Sequence, residues 1–215
     1  MSTPTPRGPL AIAGSPLGPI LRRFRSELRL AGVRPLPHFY LADEWGVLFD
    51  NDNPTPASRS IAVPFYLAGE DLAVLARRRL GTVEEVTAEC LLPYLRHEMG
   101  HVVNYAWRLY RTRGWVKHFG DFWGPFREPG RPRRAFVSLQ AQRHPDEDWA
   151  ETFKVWVTPR LDWRAEYQGR PEVLAKLEYC ARTLRRLAGR PLPETTTVPR
   201  AEAYTSVPEV WPDQG

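Results

Sequence analysis

The chain has only two cysteines, Cys90 and Cys180, far apart and in no C-x-x-C pair, which leaves two buried, reduced thiols as the reading. It has no run of about 18 apolar residues, which excludes a membrane-spanning helix. The start, "MSTPTPRGPLAIAGSPLGPILRRF", lacks a basic segment ahead of a continuous apolar run and is broken by prolines, so it is a poor signal peptide. A soluble, cytoplasmic protein is expected. Internal repeats and recognised DNA-binding motifs are also missing. The net charge of +5 comes from a positive side that is almost all arginine, scattered apart from Arg77–Arg79 and Arg131–Arg134. Such an excess favours acidic partners or a weak, general attraction to nucleic acid, and nothing sharper.

What is present is ordinary for a globular domain: 42% hydrophobic and 26% charged residues in a chain of 215. The 22 prolines and 15 glycines predict substantial loops and tails. Residues 1–16 read as a disordered Pro-rich tail, 17–189 as one domain, and 190–215 as a second Pro-rich tail or an arm lying over the surface. Ile20, Leu21, Phe24, Leu28 and Leu30 have helical spacing, with Gly32 as a stop. "HFYLADEWGVLFD" and "RSIAVPFYLAG" predict two or three antiparallel strands around the turn-rich "NDNPTPAS", with Pro64 at an edge or bulge. "EDLAVLARRRLG" is a short helix ending at Gly81. The capping-box form Thr82–Glu85 opens another helix. Pro93 starts a new turn or kinks it, and the helix continues to about Arg113. A loop follows over 114–134, then strand-like "RAFVSLQAQ". A helix over "DEDWAETFKVWVT" stops before Pro159, and another has Pro171 in its first turn and Gly189 at its end.

The chemistry is concentrated in "LRHEMGH". His97 and His101, at i and i+4 of a helix, share a face and can reach one metal ion. Glu98 is placed to take and return a proton at an open metal position. Gly100 is a poor helix residue, which suggests that something packs closely between the two histidines. A third histidine in the extended H-E-x-x-H-x-x-G-x-x-H pattern is absent, since positions 104 and 107 are Asn104 and Trp107. Cys90 lacks the surroundings of a thiolate ligand. The downstream candidates are His118, Asp121, His144, Glu147 and Glu151. "HPDEDWAETF" is the strongest of these stretches. Asp146 and Asp148 suit helix capping, whereas Glu147 and Glu151 share one face. Glu147 then serves as the metal ligand, with Glu151 fixing the tautomer of a ligating histidine.

At these residues the sequence resembles the glutamate-ligand zincins, or gluzincins, in which H-E-x-x-H is followed by E-x-x-A-(D/E). Here the second element is Glu147-Asp148-Trp149-Ala150-Glu151. "YLRHEMGHVVNYAWRLY", "IAVPFYLA" and "HPDEDWAETF" together are similar to a family of bacterial zinc-binding metallopeptidases, from about Pro37 to Cys180. The resemblance implies an α+β, zincin-like fold over 17–189, with a small twisted, mainly antiparallel sheet packed on the H-E-x-x-H helix. It implies one Zn2+ per chain on His97, His101 and Glu147, with Glu98 as general base, Glu151 as the supporting acid and a peptide or protein as substrate. Asp146 stands where the family has Asn, and Glu151 where it has Asp, so an exchange of roles between Glu147 and Glu151 stays open. Tyr66, Tyr105, His118 and His144 are all candidates to stabilise an oxyanion. "SIAVPFYLA" is a candidate edge strand for an extended peptide. The competing reading is a zinc-stabilised binding module without turnover, using Gly114–Arg134 as its contact surface.

Overall fold

The structure is a computed structural model that describes residues 11–49 and 57–198. It is a mixed α+β protein, with about 53% of the described residues helical and a small sheet. Helix α1 (Leu17–Leu30) buries Leu17, Ile20, Leu21, Phe24 and Leu28, the stripe that its apolar spacing demands. Leu30 falls off that stripe and is 90% exposed. Residues 1–10 of the expected tail lie outside the described residues. Residues 11–16 are turns rather than a free tail, because Ile12 packs against the core.

Strands β1 (His38–Ala42), β2 (Gly46–Val47), β3 (Ala57–Ser58) and β4 (Ser60–Pro64) follow. The main sheet has the order β1-β4-β2, and β1 pairs with β4 in parallel from His38↔Ser60 to Ala42↔Pro64. Among the described residues, only the short β2–β4 pairing is antiparallel. This corrects the expectation of a mainly antiparallel sheet. It also removes "SIAVPFYLA" as an edge strand, because β4 lies between two neighbours. The physical reason is visible in β4 itself: all five residues are buried, so its apolar run has no solvent face and belongs in the sheet centre.

After a 3-10 turn at Phe65–Ala68, helix α2 (Glu70–Leu80) ends at Gly81, whose φ of 89° is the left-handed geometry that glycine tolerates. The next helix, α3 (Ala88–Ala106), starts later than the Thr82 capping box implies. Thr87 is the cap, its Oγ1 accepting from Cys90 N at 3.2 Å. A start at Thr87 leaves little more than one turn ahead of Pro93, where a missing N–H is tolerated better than in mid-helix. Helix α3 stops at Ala106, short of Arg113, as Arg108 takes a left-handed φ of 49°. A 3-10 turn at Leu109–Arg111 leads to α4 (Arg113–Phe119), capped by Thr112, inside the stretch expected to be loop.

Residues 135–139 form turns and bends, not a strand. Their carbonyls are taken by side chains instead of a neighbouring strand: Lys176 donates to Ala135 O at 2.8 Å and Arg170 to Phe136 O. Helix α5 (Pro145–Val157) follows a 3-10 turn at Gln140–Gln142, and α6 (Trp163–Glu166) precedes α7 (Pro171–Ala188). Strand β5 (Thr195–Thr196) pairs in parallel with β3, and Val198 packs with Tyr40 and Ala62 over the main sheet. Residues 199–215 of the expected C-terminal tail lie outside the described residues. Both cysteines are free, but Cys90 is only partly buried, unlike Cys180. Among the described residues, no helix is long and apolar enough to cross a membrane.

The core joins one face of α3 (Leu91, Leu95, Met99, Val102) to α5 (Trp149, Phe153), α1 and β4. Helices α3 and α5 meet at Gly100. A Cβ there would lie 2.7 Å from Ala150 Cα, and Trp149 Nε1 donates to Gly100 O at 2.8 Å. The close packing suggested by Gly100 is therefore present. Gly100→Ala should destabilise the fold by about 1–3 kcal/mol, since backbone must move to admit a methyl group. A thermal melt should show this as a fall of roughly 2–4 °C per kcal/mol; an unchanged midpoint would mean that the helices separate without cost.

Candidate metal centre

Contact between α3 and α5 places the first turns of α5 beside His97 and His101. The two imidazoles project from successive turns of α3, with ring centroids 4.9 Å apart and their Nε2 atoms 3.1 Å apart. Glu147 supplies a carboxylate from α5, 3.3 Å from His97 Nε2 and 3.7 Å from His101 Nε2. The three donor atoms all lie within 4.8 Å of one another. Around a tetrahedral ion with bonds of about 2.0–2.2 Å, ligand atoms stand roughly 3.3–3.6 Å apart. The donor set fits a metal ion with little movement.

Each imidazole is held from behind. His97 Nδ1 meets Glu151 Oε1 at 2.7 Å, and Lys154 Nζ donates to the same oxygen at 2.5 Å. His101 Nδ1 meets Asp146 Oδ2 at 2.9 Å. A carboxylate only accepts, so both rings carry the proton on Nδ1 and turn Nε2 toward Glu147. Asp146 is itself fixed by Tyr105 Oη at 2.5 Å and Asn104 Nδ2 at 2.6 Å, and Asn104 Oδ1 accepts from Tyr110 N. Gln140 Nε2 donates to Glu147 Oε2 at 2.5 Å, so the 3-10 turn at Gln140–Gln142 positions the third donor.

Glu98 differs from these acids. It is 7% exposed, lines a cleft of about 780 Å³ with His97 and Glu151, and has no hydrogen-bonding partner among the described residues. Burial raises its pKa, opposed by the nearby imidazoles. A carboxyl group with elevated basicity facing a cleft is suited to taking up a proton.

The geometry separates the two glutamates that the sequence left interchangeable. Glu147 faces the Nε2 atoms and Glu151 an Nδ1 atom. None of the four oxyanion candidates lines the cleft. Tyr105 commits its proton to Asp146, and Tyr66 donates to Glu84 at 2.9 Å. His144 caps α5 through Nδ1, donates from Nε2 to Gly124 O and stacks on Phe126. His118 is paired with Gly114 O and stacked on Tyr179, and Asp121 caps the N–H of Trp123. Cleft-lining donors that sequence reasoning missed are Gln140, Lys154 and Tyr94. The first two are bonded to carboxylates. Tyr94 sits one turn before His97 on the same helix, a spacing that could have found it. Asp146 does not cap the helix as its position suggests, because His144 fills that role. Asp148, placed for the same role, forms a buried pair with Lys176 at 2.6 Å and ties α5 to α7.

His97 titrates in a telling direction. Burial works against its imidazolium, but hydrogen bonds to Glu147 and Glu151 outweigh this and raise the pKa to about 9 without a metal. The raised folded-state value means that this proton stabilises the metal-free fold fully below pH 6.5, and that the contribution is lost as pH rises through about 9. A metal ion must displace the same proton. Zinc affinity, measured by competition with a chromophoric chelator, should therefore climb between pH 6.5 and about 9, by up to roughly tenfold per unit, with proton release. A flat profile over that window would contradict the assignment.

No family model, no curated protein and no solved structure matches the chain, so a functional reading rests on these residues and their geometry.

Proposed function

We propose that this protein is a zinc-dependent metallopeptidase with a zincin-like arrangement. One observation carries the reading: two imidazole Nε2 atoms and the Glu147 carboxylate converge beside a cleft lined by Glu98, whose carboxylate has no hydrogen-bonding partner among the described residues. A donor set of two nitrogens and one oxygen suits zinc, and three protein ligands leave a position open for chemistry. When bound, zinc supplies the Lewis acidity that polarises a carbonyl and acidifies water.

The remaining work belongs to the chain's own groups. His97, His101 and Glu147 would hold the ion. Glu151 and Asp146 keep both imidazoles in the tautomer that offers Nε2, and their negative charge strengthens those donors. Lys154 offsets the charge of Glu151 at the cleft wall. Glu98 takes a proton from water at its carboxylate and later gives it to the leaving amine. Its raised pKa brings it closer to neutrality, where both transfers are favourable.

A zinc-stabilised binding module without turnover is supported by the exposed aromatics Trp123 (59%) and Phe126 (66%), within the stretch expected to be its contact surface. The position of Glu98 favours catalysis, because a purely structural site has no use for a base in a cleft. Glu98→Gln should retain zinc while cleavage of a peptide library, read by mass spectrometry, falls by about 10²–10⁴-fold. Equal turnover by the variant and the wild type would overturn the mechanism.

A further inference from the structure

The cleft extends from His97 and Glu98 to a lip that the chemistry above does not use. There Trp45, from the β1–β2 turn, stacks on Tyr94 of α3, with ring centroids 5.4 Å apart and planes 7° from parallel. Tyr94 is 43% exposed, so the pair offers an aromatic surface to the cleft. Beside it stands Glu84, whose carboxylate is clamped from two sides. Trp45 Nε1 donates to Oε1 at 3.0 Å and Tyr66 Oη donates to Oε2 at 2.9 Å. Both donors are neutral, so they orient Glu84 without compensating its charge. Each of its oxygens retains capacity for another hydrogen bond. Burial and the Glu84 carboxylate push the Tyr66 phenol up, which keeps that hydroxyl a donor.

Glu85, exposed, adds a second carboxylate at the same lip. Among the described residues neither Glu84 nor Glu85 has a cationic partner, and the cleft's lysine, Lys154, is taken by Glu151. The lip therefore combines a fixed, uncompensated carboxylate with a stacked aromatic face. A planar cation satisfies both at once: it can fork onto a carboxylate and lie over a ring. Arginine matches this better than lysine, whose ammonium is compact and strongly hydrated.

We propose that this lip is a subsite for an arginine side chain of a bound peptide, with Glu84 as the anionic anchor, Glu85 as a second charge, and Trp45 and Tyr94 as the stacking surface. The assignment rests on the peptidase reading, since it names the substrate class of the same cleft. Binding can nevertheless be measured apart from turnover.

The test uses the full chain, zinc-loaded and carrying Glu98→Gln, titrated calorimetrically with blocked alanine hexapeptides. These carry arginine, lysine, citrulline or leucine at one scanned position. At one position the arginine peptide should bind about tenfold tighter than its neutral isostere citrulline. Glu84→Gln should erase that preference, and Tyr94→Ala, which leaves the carboxylate in place, should weaken arginine binding more than leucine binding. Equal binding of arginine and citrulline peptides, binding of none of them, or a preference that survives Glu84→Gln would overturn the subsite. Zinc content and Glu98-dependent turnover of the wild-type chain judge the peptidase reading separately. Turnover without arginine preference rejects the subsite alone, and arginine preference without turnover rejects the peptidase alone.

Discussion

The close approach of α3 and α5 at Gly100 and Ala150 is the constraint on which the site depends. A helix carrying H-E-x-x-H supplies two imidazoles by its own periodicity, but the carboxylate must come from elsewhere. Only with no side chain at position 100 can the α5 backbone come near enough for Glu147 to stand within 3.3 Å of His97 Nε2. Gly100 costs roughly 1 kcal/mol in helix propensity against alanine. The indole of Trp149, buried between the helices and bonded to Gly100 O, helps to fix their spacing. Packing in the core and geometry at the site are thus one arrangement.

Electrostatics complete it. Four acids from α5 enter or border this interior, and each has its own set of counterparts: Asp146 faces His101 Nδ1, Glu147 faces both Nε2 atoms, Asp148 faces Lys176, and Glu151 faces His97 Nδ1 and Lys154. Unpaired, such buried charges would be costly. Paired, they orient the imidazoles and tie α5 to α3 and α7. Hydrogen bonds to His97 and Lys154 lower Glu151 to about 2 against the opposing effect of burial. Glu98 lacks such a hydrogen bond and moves the other way, upward. Neighbouring carboxylates thus move in opposite directions, Glu98 upward through burial and Glu151 downward through its hydrogen bonds.

Local patterns were legible in the sequence, and long-range pairings were not. The periodicity of α1 and α7, the stop at Gly81, the pairing of His97 with His101 and the shared face of Glu147 and Glu151 follow from helix geometry within a few turns. The small residue at position 100 correctly signalled close packing. The parallel β1–β4 register was hidden, because partners more than twenty residues apart leave no mark on local alternation. "RAFVSLQAQ" looked like a strand because its residue types suit one, yet Arg170 and Lys176 occupy its carbonyls. Asp146 reads as a capping residue in the sequence because an acid in a first helical turn ordinarily acts there. Its actual partners, Asn104, Tyr105 and His101, lie on another helix. The aromatic and acidic lip around Trp45, Tyr94 and Glu84 was also invisible, since it joins three separate segments.

Everything above turns on whether α3 and α5 together build one metal site, with Glu147 as its third ligand. Elemental analysis of the dialysed chain, wild type beside Glu147→Ala, answers this. About one tightly held zinc per wild-type chain, lost or greatly weakened in the variant while the fold is retained, is the result expected from a two-histidine, one-glutamate site. A wild-type chain that holds no zinc after reconstitution, or a Glu147→Ala chain that holds it equally well, would rule this site out.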